Sequence, residues 1–125
     1  MLGRATGLAF SGGNLYISEA LASRVREFST TGTLLGTFDE KGSGTGKSSL
    51  PWGIATDPTT GNLYVTEVGN DRVQEFSPAG SFIATFGTGG QGAGQLSGAK
   101  GVAVGSSGAV DVADTANNRI EEWVP

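Results

Sequence analysis

The chain repeats itself every 46 to 48 residues, and that period decides what it can fold into. The segments "GLAF" at Gly7, "GIAT" at Gly53 and "GVAV" at Gly101 align. So do "NLYISEALASRVREF" from Asn14, "NLYVTEVGNDRVQEF" from Asn62 and "AVDVADTANNRIEEW" from Ala109. A third series, "GTLLGTF" from Gly32 and "GSFIATF" from Gly80, has no counterpart after Trp123. A unit of this length is one supersecondary motif that cannot bury its apolar surface alone, so neighbouring units must stack.

Each unit offers up to four apolar runs of strand length. Run a covers Gly7 to Phe10, Gly53 to Thr56 and Gly101 to Val104; run b covers Asn14 to Glu19, Asn62 to Glu67 and Ala109 to Asp114. Run c extends from Arg24, Arg72 and Arg119 to Phe28, Phe76 and Trp123, and run d covers Leu34 to Phe38 and Phe82 to Phe86. The separators "SGGN", "DPTTGN", "SSG", "TTG" and "PAG" are hairpin turns, in which Gly and Asn take up positive φ at little steric cost. Runs such as Leu15, Tyr16 and Ile17 are apolar on both sides of the strand, which predicts sheets covered on both faces. An all-β chain of four-stranded antiparallel sheets at this period reads as β-propeller blades.

Length and composition agree with one domain of 125 residues: repeat 1 over about 5–50, repeat 2 over about 51–98 and a partial repeat 3 over about 99–125. Three runs each of a, b and c, with two of d, make eleven strands and leave the last blade without its outer one. The 22 glycines fall between apolar runs, and 37% hydrophobic residues in a regular pattern argue against disorder.

At this point the residues resemble a known family. The stretch "PWGIATDPTTGNLYVTEVGNDRVQEFSPAGSFIATFG" from Pro51 is similar to the NHL repeat, and the similarity extends over the chain from about Ala5. In the first unit "LASR" stands for the family's Asn-Asn-Arg, and in the third Asp111 stands where Tyr16 and Tyr64 stand. The resemblance implies a six-bladed ring of roughly 270 residues, at about 45 per blade. Three units make half of one, so two apolar faces would lie open at the ends of the arc. Contiguous apolar patches of that size mark interfaces, and the simplest closure is a homodimer with two-fold symmetry; the alternative is a piece of a longer propeller or an engineered arc, with another number of chains closing the ring.

In every repeat a carboxylate is followed five residues later by an arginine: Glu19 and Arg24, Glu67 and Arg72, Asp114 and Arg119. Such groups could bind a cation or exchange protons. Recurring once per blade with its own counter-charge, the pair instead reads as a cross-strand clamp contributing about 0.2 to 1 kcal/mol. The loops "KGSGTGKSS" and "TGGQGAGQLSG" look like phosphate cradles, Lys47 following the first. A phosphate loop opens a helix, whereas these lead into strands and read as blade connections. Loops b to c and d to a must open on one rim, which gathers Trp52, Lys100, Asn70, Asp71, Asn117 and Asn118 as a candidate binding surface. Trp52, expected in a loop, is its sharpest member, although a packing role over the adjacent blade fits as well.

A net charge of -4 repels a phosphate backbone, so nucleic acid is an unfavoured partner. No histidine and no cysteine are present, which removes the commonest general base, thiolate sites and disulfides. No segment approaches the roughly 20 apolar residues of a membrane span, and "MLGRATGLAF" lacks the apolar run of a secretory signal; the expectation is a soluble chain of unassigned compartment. The function expected is a non-catalytic scaffold or protein-interaction module without cofactor. A calcium-dependent hydrolase-like or lyase-like propeller, its metal held by carboxylates alone, and a ligand-binding rim are the alternatives.

Overall fold

The computed structural model describes residues 3–125, which form strands and a single 3-10 turn. Blade 1 holds β1 (Ala5–Ser11), β2 (Asn14–Glu19), β3 (Arg24–Phe28) and β4 (Leu34–Phe38), paired antiparallel in that order. A connector carries the two-residue strands β5 (Glu40–Lys41) and β6 (Lys47–Ser48). Blade 2 is β7 (Pro51–Thr56), β8 (Leu63–Glu67), β9 (Arg72–Phe76) and β10 (Phe82–Phe86), again in chain order. After a second connector with β11 (Thr88–Gly89) and β12 (Gln95–Leu96), blade 3 comprises β13 (Val102–Val104), β14 (Val110–Asp114) and β15 (Arg119–Trp123). The four predicted runs are thus strands in two blades and three of them in the third.

The connectors differ from the plain loops expected. In each a short parallel ladder closes the glycine-rich segment on itself, pairing Glu40 with Lys47 in one and Thr88 with Gln95 in the other. Pairs two residues long carry no apolar alternation, so the sequence pattern could not reveal them. The turn Thr115–Asn117, also unexpected, ends on Asn118 in the left-handed region. Ser23 and Asp71 take the same conformation one residue before Arg24 and Arg72, with φ of 48° and 49°. Small polar residues carry that conformation at lower cost than branched ones.

Each seam joins one face of each of two neighbouring sheets, so blade 2 is covered on both faces. Between blades 1 and 2, Tyr16 and Val25 meet Ile54, Leu63, Val65 and Phe76, with Phe38 and Phe82 along the flank. Phe38 lies 5.1 Å from Phe76 and 6.2 Å from Tyr16, centroid to centroid, so the outer strand of one blade seals the seam with the next. The second seam repeats the plan with Tyr64, Val73, Val110 and Val112, flanked by Phe86 and Trp123 at 4.9 Å.

Nearer the axis the seams are polar. The Thr6 and Ser18 hydroxyls both donate to the Trp52 carbonyl, each at 2.8 Å, and Thr66 donates to the Lys100 carbonyl at 2.6 Å. This approach explains the repeated glycine. A Cβ on Gly7 would lie 2.7 Å from the Trp52 carbonyl oxygen, and one on Gly53 would collide with the Lys100 carbonyl. At Gly101, where no further blade follows among the described residues, a Cβ would meet only the Ala113 methyl, at 3.5 Å.

These two glycines make a matched pair for testing the stacking. We expect Gly53→Ala to lower stability by about 1 to 3 kcal/mol through overpacking, and Gly101→Ala to leave it unchanged or raise it by a few tenths. Urea unfolding of dilute protein measures both, and equal losses would show that the carbonyl approach is not what demands glycine.

Candidate functional site

Each carboxylate–arginine pair is the centre of a hub. Glu19 and Arg24, Glu67 and Arg72, Asp114 and Arg119 face each other at the rim end of the b–c hairpin. The Nε–carboxylate distances are 3.1, 2.9 and 2.9 Å. All three carboxylates are completely buried. The cross-strand pairs expected from sequence are present, and they are buried charges, so their worth lies in what their removal would strand and not in the 0.2 to 1 kcal/mol of an ordinary cross-strand pair.

The carboxylates also reach backward along the chain. Glu19 accepts the Gly3 N–H at 2.7 Å, Glu67 the Ser49 N–H at 3.3 Å and Asp114 the Ser97 N–H at 2.7 Å, so each fixes the segment entering its own blade. Arg72 then donates to the carbonyls of Ser43, Gly44 and Lys47 at 2.6 to 2.9 Å. Arg119 does the same to Gln91, Gly92 and Gln95 at 2.7 to 2.9 Å. The glycine-rich connectors thus present carbonyl oxygens to a cation. Their amides are spent internally: Gly42 donates to the Ser48 carbonyl, Lys47 to the Gly44 carbonyl and Gly46 to Gln74 Oε1. Such a loop suits a guanidinium and offers a phosphate little.

Two of the rim candidates belong to the hubs. Asn70 donates to Glu67 at 2.8 Å and to the Gly42 carbonyl at 3.1 Å; Asn117 donates to Asp114 and to the Gly90 carbonyl, both at 2.9 Å. In blade 1 the equivalent residue is Ala22, and Arg26 supplies the further contact to Glu19, at 2.6 Å. Asp71 accepts the Gly98 N–H at 3.0 Å. Asn118 is exposed. Trp52 lies in strand β7 and not in a loop, because Pro51 still pairs with Glu67 across a bulge that takes up Trp52 and Gly53. The Lys100 ammonium stands 4.8 Å and the Arg4 guanidinium 5.5 Å from its ring, within cation–π range. Arg4 escaped the sequence reading because its counterparts, Leu50 and Gly98, carry no charge.

Burial pushes the carboxyls of Glu19 and Asp114 up, but the donors around them outweigh it. Arg26, Arg24 and the Gly3 amide hold Glu19 below its ordinary value, and Ser97, Asn117 and Arg119 do so for Asp114. These groups stay ionised and paired, which makes them poor proton carriers.

Asp39 is the opposite case, and the sequence reading missed it. It follows β4 where Gly87 follows β10, so only the aligned repeats show that a charge has replaced a glycine. Its side chain is buried beside Glu67, Arg72, Gln74 and Ser48. Burial first, then the Glu67 charge, push its carboxyl up to about 7; Ser48, Arg72 and Gln74 offset only part of this. Geometry points the same way. Gln74 Nε2, with two protons, faces three acceptors: Asp39 Oδ1, the Lys47 carbonyl and Glu67 Oε2. Gln74 Oε1 is committed to the Gly46 amide, which fixes the orientation of the side-chain amide. The cluster is one proton short, and a protonated Asp39 would supply it.

Comparison with known proteins places this geometry. The NHL repeat profile matches residues 49–76. A search of curated protein sequences finds no match. Among solved structures, the nidogen/laminin complex superposes on 94% of the chain, with TM-score 0.70 and 16% identity. Virginiamycin B lyase from Staphylococcus aureus superposes on 98%, with TM-score 0.69 and 14% identity. A gluconolactonase from Xanthomonas campestris covers 86%, with TM-score 0.65 and 17% identity. The chain spans 47%, 42% and 34% of those chains respectively, under half of each. The shared property is the propeller fold.

Two measurements test the hubs. Arg72→Ala strands a buried Glu67, and we expect urea unfolding to show a loss of about 3 to 5 kcal/mol; a loss below about 1 kcal/mol would return the pair to the surface class. For Asp39, the folded chain keeps a proton up to about pH 7, whereas the unfolded chain releases it near 4. The folded state therefore holds the extra proton between those values, and stability falls as pH rises from about 4 to about 7. With no histidine or cysteine in the chain and Glu122 also pushed up by Asp111, the part of the slope that Asp39→Asn removes reports this group. Asp39→Asn should flatten it and raise the melting temperature at pH 8; an unchanged slope would assign the titration elsewhere.

Proposed function

We propose that this NHL-repeat β-propeller chain is a non-catalytic interaction module, an arc of blades that acts as a scaffold by closing a ring with a second copy of itself. One observation carries the reading. Leu8, Leu15, Ile17 and Phe28 in blade 1 occupy the positions of Ile54, Leu63, Val65 and Phe76 in blade 2, which are 7%, 0%, 0% and 1% exposed inside the seam. In blade 1, Leu15, Ile17 and Phe28 line an open groove of about 610 Å³, with Phe10 and Arg26 beside them. Leu8 is 64% and Phe10 66% exposed. The groove therefore has the chemistry of a blade seam and lacks the blade.

The reading as non-catalytic is supported by how the carboxylates are used. Three are buried under arginines, and Asp39 is enclosed within a seam; Asp57 and Glu75 line a shallow cavity beside Tyr64. The lyase and the gluconolactonase share the fold at 14% and 17% identity, which carries no activity over to these residues. The scaffold reading leaves room for other proteins at the same groove.

Ring closure would set blade 3 of one copy against blade 1 of the other, and one residue is ill suited to it. The seams within the chain use Tyr16, whose hydroxyl donates to the Pro78 carbonyl at 2.6 Å, and Tyr64; blade 3 offers Asp111. Asp111 lies opposite Glu122 and pushes its carboxyl up. Association is therefore weak and adjustable at this position.

Light scattering over a concentration series tests the proposal. The expected result is a mass rising from 12.6 kDa towards twice that value, with Asp111→Tyr shifting the transition to lower concentration and Phe10→Asp abolishing it. A cooperatively folded monomer at every concentration, for the parent and for Asp111→Tyr alike, would overturn the half-ring dimer.

A further inference from the structure

The two connectors are anchored in different ways. In the second, Leu96 is fully buried in its seam, and a Cβ on Gly87 would lie 2.8 Å from its Cδ1, so the leucine fills the space beside that glycine. In the first, the aligned positions hold Ser48 and Asp39. A polar pair thus stands where the following connector has an apolar plug. Both side chains are buried, and Asp39 Oδ2 and Ser48 Oγ have no hydrogen-bond partner among the described residues.

Between that pair the first connector has no apolar anchor, since none of residues 40–47 is buried. Hydrogen bonds from blade 2 hold it instead. Asn70 donates to the Gly42 carbonyl, and Arg72 to those of Ser43, Gly44 and Lys47. Gln74 donates to the Lys47 carbonyl and accepts the Gly46 N–H. A segment secured by polar contacts without apolar burial belongs to the part of a fold that opens locally.

We propose that Asp39 and Ser48 make the first connector a proton-operated latch, closed on blade 2 while the Asp39 carboxyl is neutral and released locally once it ionises. The neutral carboxyl supplies the proton that the cluster lacks, and it tolerates an unpartnered oxygen better than a carboxylate does. Ionised, Asp39 is a second anion beside Glu67 on β8, and Arg72 on β9 offsets only part of the repulsion. The two protons of Gln74 Nε2 then face two carboxylates and the Lys47 carbonyl. Glu40, Lys41 and Lys47, the other charged residues of the connector, are exposed. Opening carries Asp39 into water and relieves both Glu67 and Gln74. The latch lies within the first seam and is independent of ring closure.

The test is amide hydrogen exchange on the whole chain at pH 5 and pH 8, corrected for the intrinsic effect of pH and repeated in low urea. The Gly42, Gly46 and Lys47 amides are bonded only when the connector is closed. They should lose about 10- to 100-fold in protection between the two pH values. Urea should barely change that loss, because local opening exposes little surface. Gly90 and Gln95, bonded in the same way in the second connector, should show no such loss. Asp39→Asn should abolish it, since asparagine also accepts the left-handed φ of 54°. Asp39→Gly combined with Ser48→Leu, which copies the second connector, should do the same. Protection indifferent to pH, a loss that follows urea as in β8 and β9, a loss shared by Gly90 and Gln95, or one that persists in both variants would each overturn the proposal.

Discussion

A buried carboxylate under an arginine holds this arc together. In blades 2 and 3 the carboxylate anchors the segment entering its own blade, while the arginine it orients reaches the connector that joins the blade to the one before. One ion pair thereby fixes a hairpin, a strand entrance and an inter-blade link. Removing Glu67 would leave the Arg72 guanidinium on the connector carbonyls; removing the arginine would leave a buried anion. The rest of the geometry follows from this clasp. It sets the height of each connector, the connector sets where the next inner strand begins, and that strand's carbonyl comes close enough that only glycine fits at Gly7 and Gly53.

Repetition made most of this legible in the sequence. The four runs, their order, the pairing of Glu67 with Arg72 and the blade glycines all recur, and recurrence separates a structural residue from an incidental one. What the sequence hid was environment. A carboxylate five residues from an arginine looks the same on a surface as under a connector, and the burial of Glu67 depends on Asn70 and Ser49 lying over it. Asn70 and Asn117 sit on a predicted rim, yet an asparagine on a rim can face solvent or the hub, and periodicity does not choose between them. Asp39 and Arg4 were hidden for the opposite reason: each occurs once, against Gly87 and Leu50 in the following unit, and a reading tuned to what repeats passes over what does not.

Those departures are where this chain differs from an idealised repeat. Asp39 puts a carboxyl into the first seam, where the second has Gly87, so one seam holds a buried titratable group at this position and the other does not. Arg4 adds a cation to Trp52 and Lys100, concentrating positive charge at one place on the rim of an acidic chain. In blade 1, Ala22 and Arg26 replace the asparagine and the neutral or acidic residue of the later hubs, and Glu19 takes its second cation from β3, the strand that carries Arg24.

The two ends of the arc are unlike each other, and the difference bears on what they can do. Blade 1 offers a complete apolar face, the same residue types that vanish into the seam one blade later. Blade 3 offers Asp111 and Glu122 on its outward face and an unpaired strand at its edge. A face of the first kind is costly to leave in water and favours association through buried area. The second kind is tolerated in water, because charge on an edge deters indiscriminate strand pairing. On the proposed ring closure, association would be driven by apolar burial at blade 1 and opposed at blade 3 by the unrelieved pair Asp111 and Glu122.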